Sequence, residues 1–326
     1  YRTKDGITTW FRNTHRNKKS IVLDLKKTCD LNSLFRLVEN ADVFVEAFRP
    51  GVVGRLGIDY YKINQVNPRI IYASISAFGQ TGPNSATPAH DLAIQALSGT
   101  LSLNLGSDSA PTNTGMPIAD IAGSMSALAG ILMALYRREK TQTGDYIDIS
   151  MQDSLISWLP NVTGPVFAEN RAPDVKNERS FGGYAFFKTY QTKDHKFFAL
   201  GGVEQKFVRN FLNALGRDDL IEVALGPNGP NQKPVIDFLD QKFKQKTRKQ
   251  WEKFIENLDV CAAPVLNIHE ALLSEHIKHR QMLVKDQKGF HHLGIPIKFK
   301  NEPGSFVDTL PDLGQHNEEY LGAKGD

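Results

Sequence analysis

The sequence predicts an α/β protein with a parallel sheet, and two observations carry that prediction. Apolar stretches of strand character alternate with helix-like stretches through the first half of the chain. The second and third strand candidates close on turn sequences, Arg49-Pro50-Gly51 and Gly79-Gln80-Thr81-Gly82-Pro83. In such sheets ligands collect beyond the carboxyl ends of the strands, which is where both turns fall. A chain of 326 residues suits one large domain with a second region, or two domains.

Taken in order, Lys19 to Lys26 (KSIVLDLK) reads as a short strand and Asp30 to Asn40 as a helix. ADVFVEAF, with Val43, Phe44, Val45 and Phe48, reads as a buried strand, and Arg69 to Gly79 as the next. From Ile121 to Lys140 small residues recur at three- and four-residue spacing (Gly123, Ser126, Ala127, Gly130, Ala134), which predicts a helix with a smooth face for close packing. Asp120 stands just ahead of it, where an N-cap belongs: an aspartate oxygen accepts the unpaired N–H groups of a first turn. A helix N-terminus also holds a carboxylate ionised, so a cap and a reactive group are both readings of Asp120.

TGDYIDISMQDSL gives a turn, a strand and a helix start, and the poorly patterned region from Pro160 to Ser180 reads as a linker. GGYAFFKTYQTKDHKFFALGG predicts a β-hairpin turning at Lys193-Asp194-His195, followed by a helix in VEQKFVRNFLNALG. Gln241 to Lys253 reads as a solvated amphipathic helix. The resulting division is a large domain over 1–165, a linker over 166–180, a small domain over 181–268 and a return to the large domain over 269–326.

Composition narrows the function classes. Hydrophobic residues make up 40% and charged residues 23%, and 39 Lys and Arg against 36 Asp and Glu leave a net charge of +3. That balance gives no argument for nucleic acid and suits a phosphorylated small ligand equally well. Cys29 and Cys261 lie far apart and form no C-x-x-C pattern, so the reading is reduced thiols in a reducing cytoplasm, with neither a zinc site nor a disulfide framework. No apolar run approaches the roughly 18 residues that span a bilayer.

Six stretches in register then carry a resemblance over nearly the whole chain: RNKKSIVLDLK, ADVFVEAFRPGVVGRLG, NPRIIYASISAFGQTGP, AHDLAIQALSG, PIADIAG and TGDYIDISMQD. Together they resemble the family III CoA-transferases of the CaiB/BaiF type, which include the 2-methylacyl-CoA racemases. The resemblance implies a Rossmann-like large domain made from both chain ends, a smaller α+β domain and an interlocked homodimer. It also implies a further strand and turn ahead of Tyr1 that help hold the CoA adenine and phosphates. It implies no prosthetic group and no metal; coenzyme A enters as part of the thioester substrate, with a carboxylic acid as acceptor if the reaction is a transfer, and neither nucleic acid nor membrane as partner.

Matched residue by residue, the resemblance places CoA near Leu23, Lys26, Ala47, Phe48, Arg49, Arg55 and Leu56, and Lys26, Arg49 and Arg55 are chemically suited to its phosphates. Asp120 matches the family's catalytic carboxylate. In the transferases that group attacks the thioester and carries CoA as an aspartyl thioester; in the racemases it is one of two bases that remove and return the α-proton. His90-Asp91, thirty residues before Asp120, resembles the His-Asp pair of the racemases, where transferases more often carry tyrosine. Gly201-Gly202-Val203-Glu204 resembles the racemase segment whose glutamate hydrogen-bonds the catalytic histidine. Cys261 to Leu266 also resembles the racemase version. Two departures fall near the expected acyl pocket: Leu92-Ala93-Ile94 stands where racemases have Ile-Asn-Tyr, and GGYAFFKTY lacks the proline after its paired glycines.

Overall fold

In the computed structural model, which describes residues 1–106 and 108–322, the alternating first half forms a three-stranded parallel sheet. Its strands are β1 (Val43–Glu46), β2 (Ile71–Ser76) and β3 (Asp145–Ser150), in the order β1-β2-β3. Val43 pairs with Ile71, and Ile71 with Asp145. The chain is therefore an α/β protein with a parallel sheet. One face of the sheet presents Ala73, Ile75, Ile147 and Ile149 to the central helix, Ile118–Thr141, through its Ala127 and Ile131. The other face carries stacked and tilted rings of Phe44, Tyr60, Tyr72 and Tyr146.

Small residues explain how closely the central helix lies. A Cβ on Gly123 would stand 2.8 Å from Met151 Cγ, and one on Gly130 would touch Ile147 at 3.4 Å. Ala119, Ala122, Ala127 and Ala134 are buried on the same side. Contrary to the bilayer expectation, this helix is long and apolar enough, by length and composition, to cross a membrane. Its glycine, alanine and serine spacers interrupt every apolar run without making the whole segment polar. Its packing against β2, β3 and the helix Met151–Ile156 is that of a sheet-covering helix.

A second, antiparallel sheet follows in the order β4-β5-β6: β4 (Phe187–Gln191), β5 (Phe197–Gly201) and β6 (Ala262–Pro264). The hairpin between β4 and β5 turns where the sequence puts it, with His195 at φ 56° and its N–H donating to the Thr192 carbonyl at 3.0 Å. Around this sheet Tyr190, Phe198, Phe211, Phe243 and Trp251 form an aromatic core. The Gln241–Lys253 expectation is corrected here. The stretch is not one solvated helix but the end of Lys233–Phe243 and most of Arg248–Ile255. Thr247 and Gln250 form a capping box that starts the second helix, and Phe243 and Trp251 are buried rather than surface aromatics.

Two compact units result, residues 41–265 and the two chain ends, 1–40 with 266–326. In the latter, the expected strand over Lys19 to Lys26 is absent. Two of its N–H groups pair with side chains instead of a ladder: Ser20 N–H donates to His316 Nδ1 at 3.0 Å and Val22 N–H to Asn317 Oδ1 at 2.9 Å. The expected helix forms over Thr28–Val38. A hairpin of β7 (Leu283–Lys285) and β8 (His291–Leu293) is tied to the N-terminal segment by a buried Arg12–Asp286–His292 cluster.

Candidate active site

The turn after β1 is shaped by a buried carboxylate. Glu46, 6% exposed, accepts the Phe48 N–H at 2.8 Å and the Ser74 hydroxyl, and Gln80 Nε2 donates to the same Ser74 oxygen at 2.9 Å. This bends the chain so that Ala47, Phe48, Arg49 and Pro50 wall a cavity of about 280 Å³ at the carboxyl ends of the strands. The opposite walls include Ile75, Ser76, Ala77, Ile94 and Met151, and the cavity also holds His90 and Asp120.

Asp120 does not cap the central helix. The helix starts at Ile118 with Pro117 at the N-cap, so Asp120 lies inside the first turn. Asp91 does the capping from another helix, Asp91–Leu97. Its Oδ1 accepts the N–H groups of Ala119 at 2.8 Å and Asp120 at 3.2 Å, while its Oδ2 accepts from Gln95 Nε2 at 2.5 Å. The cap and reactive-group readings of Asp120 are thereby separated. Its first-turn N–H groups are satisfied from outside, and among the described residues no hydrogen bond reaches its carboxylate.

Electrostatics follow from the same arrangement. Partial burial raises the Asp120 pKa above the usual carboxylate value, the Asp91 charge raises it further, and His90 pulls it back down. His90 is the N-cap residue of Asp91–Leu97, but its side chain makes no capping bond, and the residue is exposed. The imidazole and the Asp120 carboxylate are thus two uncommitted proton-transfer groups at one cavity.

The structure brings Ala47, Phe48, Arg49, His90 and Asp120 together at one cavity, with Asp91 bonded to the Asp120 N–H. Arg55 and Leu56 lie on the helix Val52–Leu56, outside the cavity wall; among the described residues neither Arg49 nor Arg55 makes an ion pair. Glu204 is exposed just ahead of the helix Gln205–Ala214 and makes no hydrogen bond to His90. Leu23 and Lys26 belong to the unit of the chain ends, where the Lys26 N–H donates to Asp24 at 3.1 Å. Among the described residues no cluster of three His, Cys, Asp or Glu could hold a metal.

Sequence reasoning passed over Glu46, Ser76 and Met151. Glu46 offered a signal, a charge at the end of an apolar strand pattern and two residues before the Phe48-Arg49 turn. Ser76 and Met151 offered none, since each fits its strand or helix pattern without remainder.

A family model described as CoA-transferase family III matches residues 1–317. Among curated relatives, the acetyl-CoA:oxalate CoA-transferase of Acetobacter aceti is 33% identical over 295 residues, 89% of this chain and 75% of the relative. The alpha-methylacyl-CoA racemase of Homo sapiens is 33% identical over 320 residues, 94% of this chain and 80% of the relative. The crystal structure of a CaiB/BaiF family protein from Brucella suis superposes with a TM-score of 0.82 at 26% identity, covering 98% of this chain and 85% of that one. Fold, cavity and sequence agree: the chain belongs to CoA-transferase family III, a family of enzymes in which CoA is a substrate.

Proposed function

We propose that the protein is a 2-methylacyl-CoA racemase or epimerase in which His90 and Asp120 are the two bases. The observation that carries this reading is that both groups line one small cavity with no structural bond engaging either side chain. Neutral His90 takes the α-proton and becomes imidazolium, while protonated Asp120 returns a proton to the other face of the enolate; the reverse direction exchanges the roles. A raised Asp120 pKa suits that exchange, because a group that must both give and take a proton works best with a pKa nearer the operating pH. Asp91 acts by holding the Asp120 turn, and Lys26, Arg49 and Arg55, with Leu23, Ala47, Phe48 and Leu56 beside them, are read as the CoA-binding set.

Glu204 is read as the residue that orients the histidine of a second subunit, because within one chain it does not reach His90. An interlocked homodimer with a Rossmann-like large domain would supply it across the interface. The apolar face that the central helix leaves exposed (Ile121, Met125, Leu128, Leu132, Met133, Tyr136) supports such a covering contact. The expected division into 1–165 with 269–326 and a small domain over 181–268 belongs to this reading, as does a cytoplasmic setting in which Cys29 and Cys261 remain free thiols.

A second reading, CoA transfer to a free carboxylic acid, is favoured by the acetyl-CoA:oxalate CoA-transferase relative and by the unbonded Asp120 carboxylate. There Asp120 attacks the thioester carbonyl, CoA thiolate leaves an acyl anhydride and then displaces the carboxylic acid to give aspartyl-CoA, and the acceptor acid takes the CoA. Incubation of chiral 2-methylacyl-CoA in heavy water separates the two. Racemisation with deuterium uptake, without added acid and abolished in His90→Ala, supports the first reading. Trapping of Asp120 by borohydride or hydroxylamine, with an acceptor acid required and no deuterium uptake, establishes the second.

A further inference from the structure

Ser76 is the last residue of β2 and pairs in register with Ser150 of β3. It is 7% exposed, it lines the cavity of His90 and Asp120, and its hydroxyl has no hydrogen-bond partner among the described residues. Two residues earlier, Ser74 is its counterpart on the same face of the strand and is equally buried, at 1% exposed. Yet Ser74 is fully engaged, donating to Glu46 and accepting from Gln80. The contrast isolates Ser76: the network that satisfies its neighbour stops short of the cavity.

A buried hydroxyl without a partner costs about 1–3 kcal/mol, so alanine would serve the free protein at least as well. Its neighbours Ile75 and Ala77 give the cavity an apolar wall and offer no side-chain partner. The chemistry needed there is also specific. His90 and Asp120 exchange protons, and a substrate carbonyl held between them needs a neutral donor that does not itself titrate. A serine hydroxyl at a strand end, held in register with Ser150 of β3, supplies one.

We propose that Ser76 is a substrate-contacting residue: its hydroxyl donates a hydrogen bond to a carbonyl oxygen on the thioester arm of acyl-CoA, either the thioester carbonyl or the adjacent amide. The inference rests on the acyl-CoA reading of this cavity, and holds for a racemase and a transferase alike.

The test compares wild type with Ser76→Ala and Ser76→Cys, the latter keeping bulk but replacing the hydroxyl with a weak donor. Calorimetric titration with free CoA and with acetyl-CoA is paired with steady-state kinetics and thermal melting. Both variants should melt at or above the wild-type temperature, bind acetyl-CoA roughly 3- to 10-fold more weakly, as loss of one neutral hydrogen bond implies, and lose kcat/KM. Weakening for acetyl-CoA alone assigns the thioester carbonyl; equal weakening for free CoA assigns the amide. Unchanged binding and turnover in both variants, with wild type binding normally, overturns the proposal. So does a lowered melting temperature with unchanged affinity, which would make the hydroxyl structural. Wild type that binds neither ligand overturns the acyl-CoA reading itself, and this inference with it.

Discussion

Replacing Asp91 by alanine and by asparagine separates the positioning of Asp120 from its chemistry. In Asp91→Ala the central helix loses its cap, since the Ala119 and Asp120 N–H groups have no other acceptor among the described residues; such losses cost about 0.5–2 kcal/mol. Gln95, almost wholly buried, loses the acceptor of its Nε2 as well, adding roughly 1–3 kcal/mol. A destabilisation of about 3 kcal/mol in urea unfolding is therefore expected. Fraying of the first turn displaces the Asp120 carboxylate, and a shift of about 1 Å costs on the order of 10²-fold in turnover. Asparagine keeps an acceptor oxygen for the Ala119 and Asp120 N–H groups, and loses the charge facing the helix N-terminus, about 0.3–1 kcal/mol, together with the acceptor of Gln95 Nε2, because an NH2 group stands where Oδ2 was. Its signature is in the pH profile. Asp91 raises the Asp120 pKa, so removing its charge lowers that pKa, and the acid limb of kcat/KM moves to lower pH. If Asp91→Asn proves as inactive as Asp120→Asn while unfolding like wild type, Asp91 takes part in the chemistry and the capping argument is wrong.

Asp120→Ala should abolish turnover while leaving the unfolding free energy from urea titration within about 0.5 kcal/mol of wild type, because no hydrogen bond to its carboxylate is lost; a large drop in stability would restore a structural role. Gly123→Ala should push Met151 into the cavity, costing about 1–3 kcal/mol and raising KM for acyl-CoA; a double-mutant cycle with Met151→Ala should show strong coupling, and simple additivity would disprove the route. Arg49→Ala and Arg55→Ala should weaken CoA binding, and salt should weaken it in wild type; unchanged affinity in both variants would move the phosphates elsewhere. Burial alone would raise the Asp286 pKa, but bonds from His292 and the Phe290 N–H bring it below the usual value. A depressed carboxylate pKa stabilises the fold above the unfolded-state value and loses that contribution as pH falls through the folded value. Stability of Asp286→Asn should therefore depend less on pH below about 4, and an unchanged acid limb in urea unfolding would contradict this.

The parts of the fold legible in the sequence are those where local pattern and tertiary role coincide. β1, β2 and β3 lie inside their predicted stretches for different local reasons: β2 is buried almost throughout and reads as an apolar run, whereas β1 and β3 are partly exposed and carry apolar residues beside polar ones. Lys19 to Lys26 carries the same kind of pattern, but two of its N–H groups are taken by His316 and Asn317, nearly 300 residues away. Periodicity cannot register such partners. The stretch Gln241 to Lys253 departs from its solvated-helix reading for a related reason: its charges describe one side of two helices, whereas the aromatic core that buries Phe243 and Trp251 is assembled from β4, β5 and the helix Gln205–Ala214.

The same limitation bears on Asp120. An aspartate ahead of a small-residue helix looks like a cap, and local chemistry alone favours that reading, because a helix start needs acceptors and aspartate provides them. The structure supplies those acceptors from Asp91 instead, across a gap of 29 residues. A carboxylate engaged in capping would be hydrogen-bonded, low in pKa and a poor base. Relieved of that role, and set beside both a like charge and an imidazole, it is a raised-pKa carboxylate facing a cavity. The His90-Asp91 pair thus divides its labour by direction: one side chain is left free at the cavity, and the other holds the helix that presents the Asp120 carboxylate. Any change that returns Asp120 to a capping role should therefore reduce reactivity even as it stabilises the helix, which is the usual opposition between stability and activity at a catalytic site.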